Sequence, residues 1–456
     1  MNVSRPDISK TIREETSNTL GSSVAGGSVL SATFRALRHR NFQLFFGGQL
    51  ISLIGTWMQS IAEAWLVYRL TGSSLLLGLV GFSSQIPVFL VAPIGGIVAD
   101  RLNRQRVVIG TQLASMSLAL IFSILTLTHL IQIWHIFVLA ALLGVVNAFD
   151  IPARQSFLVD MVGKEDLMNA IALNSSMFNG ARIIGPAIAG ILIAKIGEGW
   201  CFFGNGISYL AVIAGLLMMR LDRPTFRPAK GSPLANIIEG FRFARNTSPI
   251  RALLLLLGLV SLVSMPYTVL MPIFADRILH GGARGLGILM GATGVGALLG
   301  ALTLATRTGV RGLGRWVAFS CGGFGLTLAL FSFSRNFYLS TALLVPVGFC
   351  MMLQMSSSNT LIQAMVPDRL RGRVMALYSM MFMGMAPFGA LLGGALADRI
   401  GAPHTIAMGS VACVGGAVIF GINLPKIRVE ARRLIIAQTM AGGEPSVEMT
   451  ARVVED

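Results

Sequence analysis

Glu63 is an acidic residue inside an otherwise apolar stretch of the sequence. Ser52, Thr56 and Gln59 precede it at steps of three or four residues, so in a helix these polar side chains share one face with Glu63. Because an ionisable group inside an apolar helix is costly to bury, it marks a functional site by default. We interpret Glu63 as a candidate proton carrier that loads and unloads as it faces two compartments in turn. In the alternative interpretation, Glu63 reaches the membrane surface and pairs with Arg69.

Arg182 is the second charged residue inside an apolar run, one turn before a Gly-Pro pair. It could neutralise a buried carboxylate, attract an anionic substrate or tie two helices together, and the last of these is favoured. Eight polar side chains are candidates for lining a substrate cavity, although each alone is more typical of a hydrogen bond between helices. They are Gln59, Gln85, Asn147, Asn174, Asn179, Tyr267, Gln354 and Asn359.

Several kinds of chemistry are not expected from this sequence. It contains no G-x-x-x-x-G-K-S/T loop that would cradle phosphates, so ATP is not expected to supply energy. No group of His, Cys or carboxylate residues has metal-ligand spacing, and no nucleophile stands beside a base. The four cysteines are scattered singly through apolar segments, where they are expected to fill space. We therefore predict that the chain is not an enzyme and holds neither a cofactor nor a metal ion.

The elements that must position these residues are membrane-spanning helices. Of 456 residues, 54% are hydrophobic and 12% charged, whereas a soluble domain carries roughly 25% charged residues. A spanning helix needs about 20 mostly apolar residues, and about twelve such runs are present. They lie near 42–68, 74–98, 106–128, 133–152, 170–194, 200–219, 252–275, 285–306, 316–334, 337–361, 374–397 and 404–424.

The runs fall into two groups of six, and the predicted fold is an all-α membrane protein. The predicted bundles are 41–220 and 251–424, joined by a polar linker at 221–250 with a short amphipathic piece around Leu234–Ala244. Polar tails are predicted at 1–40 and 425–456.

Positive charge is concentrated on one side of the predicted spans. Most of the 36 Lys and Arg residues fall in the two tails, the linker and alternate loops. Those on the other side are Arg69, Lys195, Arg277, Arg284, Arg335 and Arg399. Because Lys and Arg favour the cytoplasmic side of a membrane, both termini are predicted to be cytoplasmic. The net charge of +16 therefore reflects membrane topology, and nucleic acid is not expected as a partner.

The second bundle repeats the first in sequence. Residues 161–197 align with 365–401 without a gap, and four glycines coincide. The pairs are Gly180 and Gly384, Gly185 and Gly389, Gly190 and Gly394, and Gly197 and Gly401. At the same offset Gly96 pairs with Gly300, but Asp100 pairs with Leu304. Two parallel six-helix repeats are an architecture in which substrate binds between the halves near the bilayer midplane.

The loop after the second run contains a recognisable motif, with the spacing G-x-x-x-D-R-x-x-R at Gly96, Asp100, Arg101 and Arg104. It resembles the signature of the major facilitator superfamily. The resemblance implies that Gly96 lets neighbouring helices approach closely and that Asp100 pairs across the contact between the halves. Its expected partners are Arg154 or the start of a helix near Gly372.

Two further resemblances concern transport direction and substrate. Gly185, Pro186 and Gly190 are similar to the antiporter motif of proton-driven exporters, although Ala189 replaces a glycine and close helix packing explains the residues equally well. Segments beginning at Phe34, Asn147 and Asn169 resemble the siderophore-exporter branch, which also holds drug exporters. The superfamily's arginine motif on the fourth helix is absent.

These resemblances imply a proton-driven exporter of a siderophore-like or drug-like molecule, working as a monomer in the inner or plasma membrane. The partners expected are the substrate, protons and lipid. An importer, or a sensor or assembly protein that does not transport, remains the alternative.

Overall fold

The computed structural model describes residues 34–220, 233–264, 266–307 and 309–440, and within them it leaves out the side chains of Asp100, 233–237 and 439–440. The predicted tail before residue 34, the linker residues 221–232 and the chain from 441 onward lie outside the described residues. The described chain is helical, and twelve of its segments are long and apolar enough to cross a membrane. The predicted number of spans is confirmed.

Six long helices with short connections form the N-terminal half. They are α1 (Arg40–Thr71), α2 (Ser74–Arg101), α3 (Arg104–Leu127), α4 (Ile133–Val162), α5 (Leu167–Ile196) and α6 (Glu198–Leu217). Polar caps set several boundaries: the side chains of Ser73 and Asn103 accept hydrogen bonds from backbone N–H groups in the first turns of α2 and α3. Gly72 ends α1 in the left-handed conformation, at φ 62°, which glycine adopts without strain.

A 3₁₀ turn at Arg35–Arg38 fastens the chain to the start of α5. The backbone N–H of Ala36 donates to Asn169 Oδ1 at 2.8 Å. Arg35 Nε lies 2.6 Å from Asp166 Oδ1, and His39 Nε2 lies 2.7 Å from Asp166 Oδ2. The hydrogen bond with His39, helped by the Arg35 charge, holds the pKa of Asp166 below its usual value. The segment around Phe34 thus ties α1 to α5.

The C-terminal half follows the same plan after a linker helix. Its elements are α7 (Pro233–Asn246), α8 (Ser248–Val263), α9 (Tyr267–Ile273), a π turn (Phe274–Ile278), α10 (Gly282–Ala305), α11 (Leu313–Phe333), α12 (Phe337–Met365), α13 (Asp368–Met383), α14 (Ala386–Ile400) and α15 (Ala402–Met440). The linker helix α7 occupies the position of the predicted amphipathic piece. Helices α4 and α12 begin at positions that the sequence repeat pairs, Ile133 and Phe337.

Two spans of this half are interrupted, which the sequence analysis did not anticipate. The seventh span is interrupted between the end of α8 at Val263 and the start of α9 at Tyr267, and the eleventh is interrupted at Gly384, between α13 and α14. Backbone groups freed by a break must find partners, because the bilayer interior offers none. Ser261 Oγ donates to the carbonyl oxygen of Phe382 at 2.5 Å and thereby satisfies one of them. The two interruptions lie against each other.

The last helix is longer than predicted. α15 continues past residue 424 through Pro425 to Met440, so the described part of the expected tail is helical. A proline removes one backbone hydrogen bond, but the continuation has an apolar face: Ile427 is buried, and Leu434 and Ile435 pack against the core of this half.

Alternating spans give the molecule two faces. The terminal face carries the described chain ends and the connections at 102–103, 163–166 and 366–367. The distal face carries the connections at 72–73, 128–132, 279–281 and 401.

The two halves meet through glycines near the distal face. Helix α2 packs against α14, and α5 packs against α10. A Cβ on Gly287 would lie 2.5 Å from the carbonyl oxygen of Pro186, and one on Gly394 would lie 2.8 Å from the Cα of Gly78. Small residues of this kind let helix backbones approach closely in a membrane. The aligned glycines Gly190 and Gly394 lie in equivalent contacts, on α5 against α10 and on α14 against α2, so the repeat is visible in the packing.

Leucine at position 287 is expected to force the distal face open. Helices that meet through larger side chains stand roughly 8–10 Å apart, so two spin labels at Leu130→Cys and Tyr338→Cys, both exposed near the distal face, should separate by about 2 Å or more in Gly287→Leu. Pulsed electron paramagnetic resonance on a variant without the native cysteines measures this distance. Gly180→Leu is the control, because a Cβ there meets no heavy atom within 4 Å. An unchanged distance in Gly287→Leu would contradict the close contact of α5 with α10 at this glycine.

Candidate functional site

Arg182 lies in the middle of α5. Its backbone is close to α10 of the other half, since a Cβ on Gly294 would lie 3.2 Å from the Arg182 carbonyl oxygen. Its guanidinium carbon is 5.7 Å from the centroid of the Trp57 ring on α1, a cation–π contact. The phenol of Tyr267, at the start of α9 in the other half, is close enough to interact with Arg182 electrostatically. In the part of the chain that the structure describes, no carboxylate pairs with this half-buried cation. The arrangement gathers α1, α5 and α9 around one positive charge.

Glu63 lies on α1, about two turns before the helix ends at Thr71. Its side chain is half-buried and has neither an ion pair nor a hydrogen bond among the described residues. Arg69, the alternative partner, instead donates to Glu198 at the start of α6 from Nε and Nη2, at 2.7 and 3.2 Å. The alternative pairing of Glu63 with Arg69 is therefore wrong, and the part of the chain that the structure describes offers the Glu63 carboxyl no other partner.

The polar face of α1 is divided between packing and open space. Asn205 on α6 donates from Nδ2 to Gln59 Oε1 at 2.6 Å, and both side chains are buried. Ser52 is also buried. Thr56 is exposed, and its hydroxyl donates a hydrogen bond to the backbone carbonyl of Ser52 at 2.9 Å. Gln59 therefore ties α1 to α6, while Thr56 and Glu63 remain accessible.

The structure distributes the other cavity candidates over several environments. Gln85 is exposed, and Asn147, Asn174, Asn179 and Asn359 are half-buried. Asn179 donates to the carbonyl of Ser175 at 2.8 Å, and Asn359 accepts from Gln363, so both bond within their own helices. Tyr267 and Gln354 are buried, and their polar side-chain atoms have no hydrogen-bond partner among the described residues. Of this set, Tyr267 is the one that lies near Arg182.

Arg104 of the G-x-x-x-D-R-x-x-R motif and its expected partner residue Arg154 make their ion pairs within the N-terminal half. Arg104 Nη1 donates to both carboxylate oxygens of Asp160 on α4, each at 3.0 Å. Arg154 pairs with Asp150 on the same helix, Nη2 to Oδ2 at 3.2 Å. The side chain of Asp100 lies outside the described residues, so its expected pairing with Arg154 or the helix start near Gly372 stays a prediction. Arg101 is exposed.

Gly96 differs from expectation, since a Cβ there would meet no heavy atom within 4 Å in this structure. The close contact belongs to the preceding residue: a Cβ on Gly95 would collide with the carbonyl of Ala148 on α4. The neighbouring position therefore performs the packing role that the resemblance assigned to Gly96.

The residues of the antiporter-like motif lie in close helix contacts. A Cβ on Gly185 would lie 2.5 Å from Trp57 Cβ, so the missing side chain of this glycine lets α1 approach α5 closely. The Pro186 carbonyl and Gly190 face Gly287 on α10. α5 continues as one helix through Pro186. The motif thus joins α5 to both its own half and the other half, and it borders the Arg182 site.

Asp150 is a buried carboxylate that the sequence analysis did not single out. It accepts hydrogen bonds from Thr111 Oγ1 at 2.9 Å and from Gln112 Nε2 at 3.0 Å, besides its ion pair with Arg154. The signal was present in the sequence, because Asp150 ends the fourth apolar run and precedes Arg154 by one helical turn.

A second overlooked carboxylate joins the halves at the distal face. Tyr68 on α1 donates from its hydroxyl to Asp276 Oδ2 at 2.7 Å, and the guanidinium carbon of Arg277 lies 5.5 Å from the centroid of the Tyr68 ring. Asp276 and Arg277 stand in the π turn after α9. Because Asp276 falls just past the end of a predicted span, sequence alone gave no reason to pair it with Tyr68.

Comparison with known proteins places these features among transporters. The model of the MFS family described as transmembrane secretion effector matches residues 31–451. The chain is 27% identical to the staphyloferrin A transporter of Staphylococcus aureus (strain NCTC 8325 / PS 47), over 85% of this chain and 97% of that protein. It is 28% identical to the multidrug efflux pump Tap of Mycolicibacterium fortuitum, over 82% and 93%.

The third relative is the enterobactin exporter EntS of Shigella boydii serotype 4 (strain Sb227), 26% identical over 87% of this chain and 93% of that protein. Solved transporter structures superpose on 84–88% of this chain and 97–99% of theirs, with TM-scores from 0.59 to 0.66 at 11–15% identity. These likenesses confirm the expected fold.

Asp150→Leu is expected to destabilise the protein, because it leaves the buried amide of Gln112 and the Arg154 cation without their acceptor. Breaking such a pair costs roughly 2 kcal/mol here, less than in a fully enclosed site, since Arg154 is 24% exposed. Thermal unfolding in detergent measures the change. The double variant Asp150→Leu and Arg154→Leu should recover part of the loss, and equal instability of single and double variants would contradict the pairing.

Proposed function

We infer the function from the premise that the chain belongs to the transmembrane secretion effector family of the major facilitator superfamily. It is a multi-pass membrane transporter and not an enzyme. On that premise we propose a secondary active exporter that exchanges protons for a small organic molecule. The observation that carries the proposal is that Glu63 and Arg182, within the spans of halves that meet near one face, have no oppositely charged partner among the described residues.

The state of the molecule supports loading from the terminal face. The glycine contacts, the Phe82–Phe388 and Phe89–Phe388 ring contacts and the Tyr68–Asp276 hydrogen bond join the halves from the distal face to mid-span. Near the terminal face, the described ion pairs join elements of one half or its linker, such as Arg104 with Asp160 and Arg369 with Glu239. With the terminal face in the cytoplasm, as the distribution of Lys and Arg predicts, this conformation would receive substrate from inside the cell.

Arg182 is proposed to contact the substrate. Burying a cation without a partner is costly, so an acceptor or acidic group of a ligand is favoured beside it. Trp57 offers an aromatic surface, and the hydroxyl of Tyr267 is buried near the side chain of Thr293. A polar, multidentate molecule fits these groups. The named cargo of two relatives, staphyloferrin A and enterobactin, leads us to propose a siderophore-like substrate.

Glu63 is proposed to carry the proton. An ionised carboxylate resists enclosure between the halves unless something covers it. Facing the cytoplasm, Glu63 would lose its proton, and hydroxyl or amide donors of the bound substrate would hydrogen-bond to the carboxylate, which permits the halves to rock and open the distal face. After substrate leaves, Glu63 would take a proton from outside, and the neutral carboxyl could be enclosed for the return. Each half is present in one chain, so the cycle needs only a monomer.

A second candidate substrate class is drug-like molecules, favoured by the similarity to the Tap efflux pump. Such a substrate would depend less on Arg182 than on the apolar and aromatic surface around it. Arg182→Ala distinguishes the two substrate classes, because it should weaken binding of an acidic siderophore more than binding of a drug-like molecule.

Glu63→Gln is expected to abolish transport driven by a pH gradient, because glutamine cannot release or bind the proton. In proteoliposomes loaded with a candidate siderophore, flux driven by an imposed gradient should fall at least tenfold, while exchange of labelled for unlabelled substrate without a gradient is retained. Glu165→Gln, at an exposed position on the terminal face, is the control. Gradient-driven flux equal to that of the unaltered protein would exclude Glu63 as the carrier.

The same assay tests direction and the wider proposal. Inward accumulation under the same gradient would identify an importer, and no flux with any substrate would favour a sensor or assembly protein.

Arg182→Ala is expected to raise the KM for an acidic siderophore about tenfold or more, since a hydrogen bond with a charged group contributes roughly 1.5–3 kcal/mol. Arg182→Lys keeps the charge and should restore part of the affinity, although it loses the planar fork. Initial efflux rates across substrate concentrations separate KM from maximal rate. A fall in maximal rate with unchanged KM would instead indicate that Arg182 only ties the helices together.

A further inference from the structure

A groove of about 450 Å³ runs between α8 and α15 near the terminal face. Leu255 and Leu259 on α8 and Ile419 on α15 give it apolar walls. Leu255 is 63% exposed and Ile419 is 64% exposed, so the groove opens to the surroundings of the protein. Because α15 packs mainly against α8, α11 and α14 of its own half, the groove lies away from the contact between the halves.

Two cations stand at the terminal end of the groove. Arg251 lies in the first turn of α8, and Lys426 lies across from it on α15. Lys426 is exposed, and the described chain offers it no ion pair or hydrogen bond. Arg251 donates from Nη1 to the carbonyl of Arg245 at 3.0 Å, which uses one of its roughly five N–H donors. Both cations therefore have donors to offer a ligand.

The surrounding charges leave this end of the groove positive. Glu430, one turn beyond Lys426, accepts a hydrogen bond from the backbone N–H of Ser248 at 3.3 Å and so is directed to the start of α8. Arg433 follows Lys426 by seven residues and lies on the same helical face. An anion at the end of the groove would meet two cations, Arg251 and Lys426, while Arg433 stands about 10 Å farther along α15 and Glu430 already has a partner.

The shape of the groove selects the source of that anion. From Arg251 to Leu259 the helix rises about 12 Å, a length that accommodates the upper part of an acyl chain. A free phosphate would leave the apolar walls without a binding partner. A phospholipid would instead place its phosphate at the cations and its acyl chains along the apolar walls. Basic pockets between spanning helices bind anionic headgroups. We propose that the groove between α8 and α15 is a binding site for an anionic phospholipid of the surrounding bilayer.

A tryptophan placed in the groove can report its lipid occupant. Leu255→Trp is reconstituted into phosphatidylcholine vesicles that contain increasing fractions of brominated phosphatidylglycerol, and quenching is compared with the protein that lacks the added tryptophan. Each Lys or Arg near the surface contributes about 1 kcal/mol towards an anionic lipid, so brominated phosphatidylglycerol should be preferred over brominated phosphatidylcholine by roughly tenfold or more. Arg251→Gln with Lys426→Gln should bring the preference close to unity.

The controls separate this site from general attraction and from free phosphate. Arg38→Gln with Arg106→Gln removes the same charge from exposed positions elsewhere on the terminal face and should leave the preference intact. Equal quenching by both lipids, or a preference that survives loss of Arg251 and Lys426, would overturn the proposal. Relief of quenching by inorganic phosphate would also overturn it, by showing that the anion alone is recognised. The measurement needs no transport, so it stands apart from the test of Glu63.

Discussion

The interior of a bilayer offers no water, so every charge and backbone polar group that enters it must find a partner within the protein. The structure follows this rule closely. Asp150 is surrounded by Thr111, Gln112 and Arg154, and Ser261 satisfies a carbonyl where two helices break. Glu63 and Arg182 depart from it, since neither has a group of opposite charge among the described residues. These departures are the reason for proposing that Glu63 and Arg182 bind something that is not part of the chain.

The contact between the halves also follows from the lipid environment. Without a strong hydrophobic effect between helices in lipid, close backbone approach supplies the attraction, and glycines such as Gly287 and Gly394 make that approach possible. The ring contacts of Phe388 with Phe82 and Phe89 across the halves are apolar too, so separating these contacts leaves no polar side chain of theirs unsatisfied. The Tyr68–Asp276 hydrogen bond and the neighbouring Arg277 lie at its distal edge, where water can replace them.

Symmetry and chemistry are distributed differently over the two halves. The repeated glycines Gly190 and Gly394 lie in equivalent contacts, but Glu63 aligns with Tyr267, and Arg182 aligns with Ala386. The N-terminal half therefore holds the two charges proposed to act in transport, while the C-terminal half holds the broken helices α8–α9 and α13–α14. Tyr267 connects the two features: it is the first residue of α9, directly after the break, and it lies near Arg182 of the N-terminal half.

Hydrophobic length and charge placement determined the spans, their number, the two halves and the linker helix, because each of these depends on local runs of residues and on the constant thickness of the bilayer. The repeat also identified Gly190 and Gly394 before their contacts were known. Partners could not be determined in this way. That Arg69 meets Glu198, that Gln59 is taken by Asn205, that Gly95 rather than Gly96 lies against α4, and that Pro266 and Gly384 break their spans all depend on which helix faces meet. Those faces are set by packing between segments far apart in sequence, and only the tertiary structure decides them.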